Sequence, residues 1–192
     1  QSRYNNSEIE NGSLTMDVVM ESEDIWLAVY NPTIGQLSYK ERIADDISQN
    51  QSGRSEGNPH IVWGSADSGL IVWEVADNSS SDIYYATISI NAGIVSVSAP
   101  ATISSNLSGL NYSPIVGYTD PTHALALWIN DADSDDSTSN TMVYESMWDG
   151  TSWSNPAIHY NLPVGTEVKE LSLQTNGLYG IEAITYQGYL AD

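Results

Sequence analysis

Ala124–Ile158 reads ALALWINDADSDDSTSNTMVYESMWDGTSWSNPAI, and the parsing of this stretch decides the fold. Ala124–Trp128 is an alternating apolar strand, Asn130–Asp136 is an acidic loop, and Met142–Met147 is a second strand. A tight Trp-Asp-Gly turn at Trp148–Gly150 and a Trp-Ser-x-Pro segment at Trp153–Pro156 complete it. Much the same order of parts occurs earlier, in Gly69–Ile103, GLIVWEVADNSSSDIYYATISINAGIVSVSAPATI. Trp73 aligns with Trp128, Tyr85 with Tyr144 and Pro100 with Pro156, at offsets of 55, 59 and 56 residues. A near-constant offset across three landmarks marks a repeated unit, and repeats of this length read as stacked modules.

Outward from these two copies the same grammar continues. His60–Gly64, the turn Ser65–Gly69, Leu70–Val75, Ile83–Ser89 and Ile94–Ile103 read as strand, turn and three further strands. The next copy has Ser113–Tyr118, the turn Thr119–His123, Ala124–Ile129, Thr141–Met147 and Trp153–Tyr160 in the same roles. On the N-terminal side, Leu14–Met20, Ile25–Tyr30 and Leu37–Ile43 are short β-rich runs, and Asp45–Asn58 is polar and reads as a loop. On the C-terminal side, Glu170–Gln174, the turn Thr175–Gly177 and Leu178–Gln187 begin a last, incomplete copy. Val, Ile, Tyr and Trp at period two, bounded by Gly, Pro, Asn and Asp, are the strand signature. No long stretch shows capped 3.6-residue periodicity, so very little helix is expected.

The expected fold class is therefore all-β, a propeller-like array of about four antiparallel blades, with a β-sandwich as the alternative. The units fall at approximately 13–58, 59–108, 109–165 and 166–192 of a single domain, or of a fragment of a longer one. The pattern A-L-A-L-W … V-Y-E-S-x-W-D-G-T-S-W-S-x-P in Ala124–Pro156 resembles blades of secreted bacterial and archaeal β-propeller repeat proteins. These include the sialidase-like group, here with degenerate Asp-box turns. The resemblance implies a blade and is silent on activity. The incomplete terminal units leave two arrangements open: the N-terminal segment supplies strands missing from the last blade, or a longer chain or neighbouring copy completes the array.

Composition narrows the setting. Five Lys plus Arg stand against 25 Asp plus Glu, a formal charge of −20. Such a surface repels nucleic-acid phosphates and anionic headgroups, so neither nucleic-acid partners nor membrane insertion is expected. At 41% hydrophobic residues the chain has the apolar content for a core. Absence of Cys removes disulfide, thiolate-metal and thiol redox chemistry. Gln1 opens without a basic-then-apolar leader, the expectation for a mature product or a fragment. Asn-x-Ser/Thr sequons at Asn5, Asn11, Asn50, Asn78, Asn106 and Asn111 point to N-linked glycans and a secreted or cell-surface location.

Few residues stand in a pattern that carries chemistry. Asp131, Asp133 and Asp135 alternate as in the first half of a Ca²⁺ loop. The pattern then departs, with Asp136 where the helix–loop–helix motif needs Gly and Met142 where it needs Glu. Ca²⁺ at a shorter β-loop and a solvated acidic loop are both open. Ser65–Gly69 and Asp149–Trp153 resemble degenerate Asp-boxes, which the resemblance implies are turn-makers: the Asp caps turn amides and the Trp packs between blades.

Arg3, Arg42 and Arg54 all lie in the first third, too few and too scattered for the arginine cluster that would hold a sialic-acid carboxylate. Glu74, Glu145 and Asp131 are acids for a glycosidase pair, though no context marks them. His60, His123 and His159 lack metal-ligand spacing and read as packing or turn residues. Trp63, Trp148 and Trp153 are the candidate sugar-contact surfaces, whereas Trp26, Trp73, Trp128, Tyr85 and Tyr144 fall at core positions.

The functional expectation is a non-catalytic extracellular structural glycoprotein module, acting in a surface layer, adhesion or filament assembly with copies of itself. The alternative is a carbohydrate-binding or glycoside-hydrolysing propeller.

Overall fold

The computed structural model describes residues 24–31, 35–44, 55–77, 80–132, 141–160, 162, 166–175 and 180–188. Among them there is no helix. The strands, in chain order, are β1 (Trp26–Asn31), β2 (Gln36–Arg42), β3 (Ser55–Trp63), β4 (Ser68–Ala76), β5 (Ser81–Asn91), β6 (Ile94–Val97) and β7 (Ala101–Thr102). They continue with β8 (Leu110–Tyr118), β9 (Ala124–Asp131), β10 (Thr141–Trp148), β11 (Ala157–Tyr160), β12 (Thr166–Thr175) and β13 (Gly180–Gly188).

The all-β expectation holds, and among the described residues the sheets do not close into a barrel. β1–β2 and β12–β13 are antiparallel hairpins. Between them lie two antiparallel groups, β3-β4-β5 with β6 and β7 on its outer edge, and β8-β9-β10-β11. Among the described residues, the one ladder contact joining the two groups is a parallel pair, Ser81 beside Leu110. β8 nevertheless touches β3 and β4 as well as β5, which a flat sheet would not allow. The groups lie face to face.

Three separate apolar clusters show how the faces are covered. Leu27 of β1 with Ile25 and Ala44 packs on Ile71, Trp73, Val75, Ala86 and Ile88. Leu70, Val72 and Ile83, from the opposite face of that same group, pack on Val116, Ala124, Ala126, Trp128 and Trp148. Leu125, Leu127, Ile129 and Val143 then turn to Val168 and Leu171 of β12. Successive side chains of a strand point to opposite faces. β4 and β9 must therefore be apolar on both faces, because each face meets a neighbour. That is why LIVW and ALALWI are continuous apolar runs, not the alternation expected of Ala124–Trp128, and all eight residues of β9 are buried.

The register corrects one landmark. Trp73 pairs with Tyr84 across β4–β5, and Trp128 pairs with Tyr144 across β9–β10. The ring centroids are 6.2 Å apart in both pairs. Tyr84, not Tyr85, is thus the counterpart of Tyr144. Tyr85 points to the other face and meets Trp148 and Trp153 of the next group, at 5.8 and 5.7 Å between ring centroids. Adjacent residues in a strand are indistinguishable by offset alone, and only the pleat separates them. The Pro landmark holds: Pro100 and Pro156 each precede an edge strand, placing Ala101 beside Tyr85 and Ala157 beside Glu145.

Other boundaries moved. β3 begins at Ser55, inside the stretch expected to be a loop, and the outer run Ile94–Ile103 is broken into β6 and β7. Leu14–Met20 lies outside the described residues.

Candidate functional site

Three strands carry a bulge at the same place. Asn58 and Pro59 fall between the β3–β4 pairs Gly57–Glu74 and His60–Val72. Ser113 and Pro114 fall between the β8–β9 pairs Tyr112–Ile129 and Ile115–Leu127. Lys169 falls between Val168 and Glu170 of β12. The positions advance by a fixed step, since 114 − 59 and 169 − 114 are both 55. Proline has no N–H for the ladder and is tolerated inside a sheet only at an edge or a bulge, so two of the three bulges are dictated by Pro.

The bulges converge on an open cleft of about 270 Å³, lined by Asn58, Pro59, His60, Ser113, Pro114, Ile115, Lys169, Glu170 and Leu171. Asn58 and Ser113 have φ of 49° and 52°, left-handed values that cost a non-glycine residue. One carboxylate holds both: Glu74 Oε2 accepts from Asn58 Nδ2 at 2.9 Å and from the Ser113 amide at 3.3 Å. His60 Nδ1 accepts the Val116 amide at 3.3 Å, linking β3 to β8. Burial lowers the His60 pKa, so its neutral form is the one this site favours. Lys169 is ion-paired with Glu167. Burial, followed by the charges of Asp131, Glu167 and Glu74, pushes the nearby Tyr112 phenol up to about 12.

Sequence reasoning missed this cleft. From sequence His60 reads as a packing or turn residue, Asn58 as the end of a loop and Ser113 as the start of a strand, and neither they nor Lys169 read as site residues. A signal existed in the X-Pro dipeptides Asn58-Pro59 and Ser113-Pro114, whose spacing equals that of Trp73 and Trp128.

The expected site residues are scattered by comparison. Asp131 ends β9 and is buried, whereas Asp133 and Asp135 lie outside the described residues. Among the described residues no three His, Asp or Glu side chains converge as metal ligands. Asn5, Asn11, Asn50 and Asn78 also lie outside the described residues, and Asn106 is exposed in the turn after β7.

Asn111 departs from the expectation. It is fully buried. Its Nδ2 donates to the Ser81 carbonyl at 3.0 Å, while its Oδ1 accepts from Trp128 Nε1 and Asn130 Nδ2, each at 3.0 Å. A glycan on that Nδ2 has no room unless the two groups separate. This Asn is a polar node between sheets.

The tryptophans divide as well. Trp63 keeps 41% of its surface exposed. Trp148 is buried, and Trp153 is half-buried against it at 5.5 Å between rings, so both belong to the seam with Tyr85 and offer no sugar platform. An isolated antiparallel bridge pairs Trp148 with Trp153 and brings the two indoles together in that seam.

Compared with known proteins, the chain matches no family model and no curated protein sequence.

The turns follow the Asp-capping expectation in part. Asp149 Oδ1 accepts the amides of Thr151 and Ser152, both at 2.8 Å, and these hold its pKa down, with the Ser152 amide contributing most. Asp120 Oδ1 accepts from the Thr122 and His123 amides, and its pKa falls to about 2, chiefly through the Thr122 amide. In the Ser65–Gly69 turn the roles differ, because Ser65 Oγ accepts the Asp67 amide. Two of the three named acids are engaged structurally: Glu74 clamps the bulges, and Glu145 pairs with His159 at 2.5 Å.

Proposed function

We propose that this chain is a non-catalytic structural module of the cell exterior, a propeller-like stack of sheets that acts in a surface layer, adhesion or filament assembly. The observation that carries this reading is that β4 and β9 are covered on both faces by neighbouring sheets of the same chain. Modules built this way extend by adding another sheet, since each face is made to meet a similar one. Among the described residues the two flanking hairpins, β1–β2 and β12–β13, have two strands each, fewer than the central groups. In this reading they are completed by other strands, from this chain or from another copy, by edge-to-edge pairing. The charge of −20 suits a hydrated exterior and keeps free copies apart until specific faces meet.

N-linked glycans on exposed sequons such as Asn106, and Ca²⁺ at Asp131, Asp133 and Asp135, belong to the same proposal. Calcium titration to millimolar concentration should raise the melting temperature; an unchanged melting temperature and heat signal would remove the ion from the account.

Electron microscopy of the purified chain, with sedimentation over a concentration series, tests the main reading. Fibres, sheets or concentration-dependent oligomers are expected. A dispersed monomer that binds or turns over a polysaccharide on an array would favour the second reading, a carbohydrate-binding or carbohydrate-hydrolysing propeller. The exposed Trp63 and the open bulge cleft are what support that second reading.

A further inference from the structure

His60 joins the two central groups through an imidazole acceptor rather than through a backbone carbonyl. Its Nδ1 takes the Val116 amide from β8, the strand that lies across β3 and β4. An imidazole nitrogen accepts only while it carries no proton. With Nδ1 accepting, the neutral ring must hold its proton on Nε2. Protonation turns Nδ1 into a donor facing another donor, and the bond cannot survive.

We propose that His60 is an acid-sensitive latch between the two central groups, closed while its ring is neutral and opened when Nδ1 is protonated. The surroundings make the open state matter. His60 lies next to the Asn58–Pro59 bulge and across the cleft from the Ser113–Pro114 bulge, so the latch spans the two strained segments. Loss of the Val116 bond leaves the Glu74 clamp to hold Asn58 and Ser113 alone.

The titratable groups on the packed elements are Glu74 on β4, Tyr112 and Tyr118 on β8, and Glu167, Lys169 and Glu170 on β12; β3 itself adds Glu56. Glu74 is engaged by the two bulges, and Lys169, paired with Glu167, is a cation on the rim of the same cleft. Burial disfavours the charged ring. The sign follows from a folded pKa below the unfolded value. The latch contributes its stability above about pH 6.5, the unfolded value, and loses it as pH falls from there toward the folded pKa. The background runs the other way, because acidification also relieves the repulsion of a −20 chain. A loss of structure at the β3–β8 junction on mild acidification therefore cannot come from the bulk charge.

The test uses the full chain, labelled with ¹⁵N. Side-chain spectra near pH 8 should show His60 neutral with its proton on Nε2; a proton on Nδ1 overturns the latch. Hydrogen exchange at the Val116 amide, corrected for its intrinsic pH dependence, should lose about tenfold protection between about pH 8 and pH 5. His60→Asn supplies a fixed oxygen acceptor in place of Nδ1 and should keep Val116 protected at both pH values. His123→Gln and His159→Gln should leave the loss intact. Unchanged Val116 protection in the parent chain, or a loss that persists in His60→Asn, contradicts the proposal. If His60→Asn does not fold, the tautomer and the parent exchange profile still decide it.

Discussion

The two central groups place a tryptophan at the same spot and treat it differently. Trp73 and Trp128 are both fully buried, both face the preceding sheet, and both lie over a tyrosine of the next strand. Trp128 Nε1 donates to Asn111, whereas Trp73 Nε1 is buried and has no hydrogen-bond partner among the described residues. One step of 55 residues before Asn111 stands Glu56, buried as well but not bonded to the indole. The repeat thus conserves shape between the copies while the polar wiring is written separately. Packing can be copied by volume; a buried polar group needs a particular partner.

The comparison breaks most sharply at Asn111. Asn111→Ala removes the acceptor of Trp128 and Asn130 and the donor to Ser81, and should cost about 3 kcal/mol or more in urea unfolding, since each orphaned buried group costs roughly 1–3 kcal/mol. A loss below about 1 kcal/mol would mean that the node is not closed.

Next come the close approaches. A Cβ at Gly64 would stand 2.5 Å from the Tyr118 ring, and one at Gly117 would stand 2.6 Å from a Thr175 methyl. Gly64→Ala and Gly117→Ala should each destabilise by about 1–3 kcal/mol through overpacking, measured as a shift in denaturation midpoint with unchanged slope. Gly64 tests the contact of the first central group with the second, and Gly117 tests the second with β12.

The tryptophans themselves give a finer difference. Trp128→Phe should cost about 1 kcal/mol more than Trp73→Phe, because only the former breaks an indole hydrogen bond. Equal losses would show that the Asn111 bond adds nothing.

The smallest effect belongs to the exposed turns. The Asp120 pKa is depressed to about 2, so its contribution is present above the usual carboxylate range and is lost as pH falls through about 4 toward 2. Asp120→Asn should flatten a small part of the acid limb of a melting-temperature profile and leave the neutral region almost unchanged.

The all-β class was legible in short apolar runs such as LIVW and ALALW bounded by turn residues. The alternation expected of Ala124–Trp128 was not borne out, because β9 is covered on both faces and all eight of its residues are buried. The Asp149 turn was legible as well: Asp-Gly-Thr-Ser has one economical way to satisfy its amides. What escaped was whatever depends on pleat or partner. Tyr84 and Tyr85 differ only in the face they take, and Asn111 looks like a glycan acceptor until its neighbours are known. The cleft escaped because each bulge alone is an unremarked X-Pro or Lys, and its meaning lies in three of them meeting.

A double-mutant cycle on Tyr85 and Trp153 tests the face-to-face stacking most directly, since these rings come from different groups and meet edge-on at 5.7 Å. Substituting each by Ala, singly and together, should give a coupling free energy of about 0.5–1.5 kcal/mol. Additive losses, with coupling inside the roughly 0.3–0.5 kcal/mol expected of distant sites, would contradict the stacked arrangement.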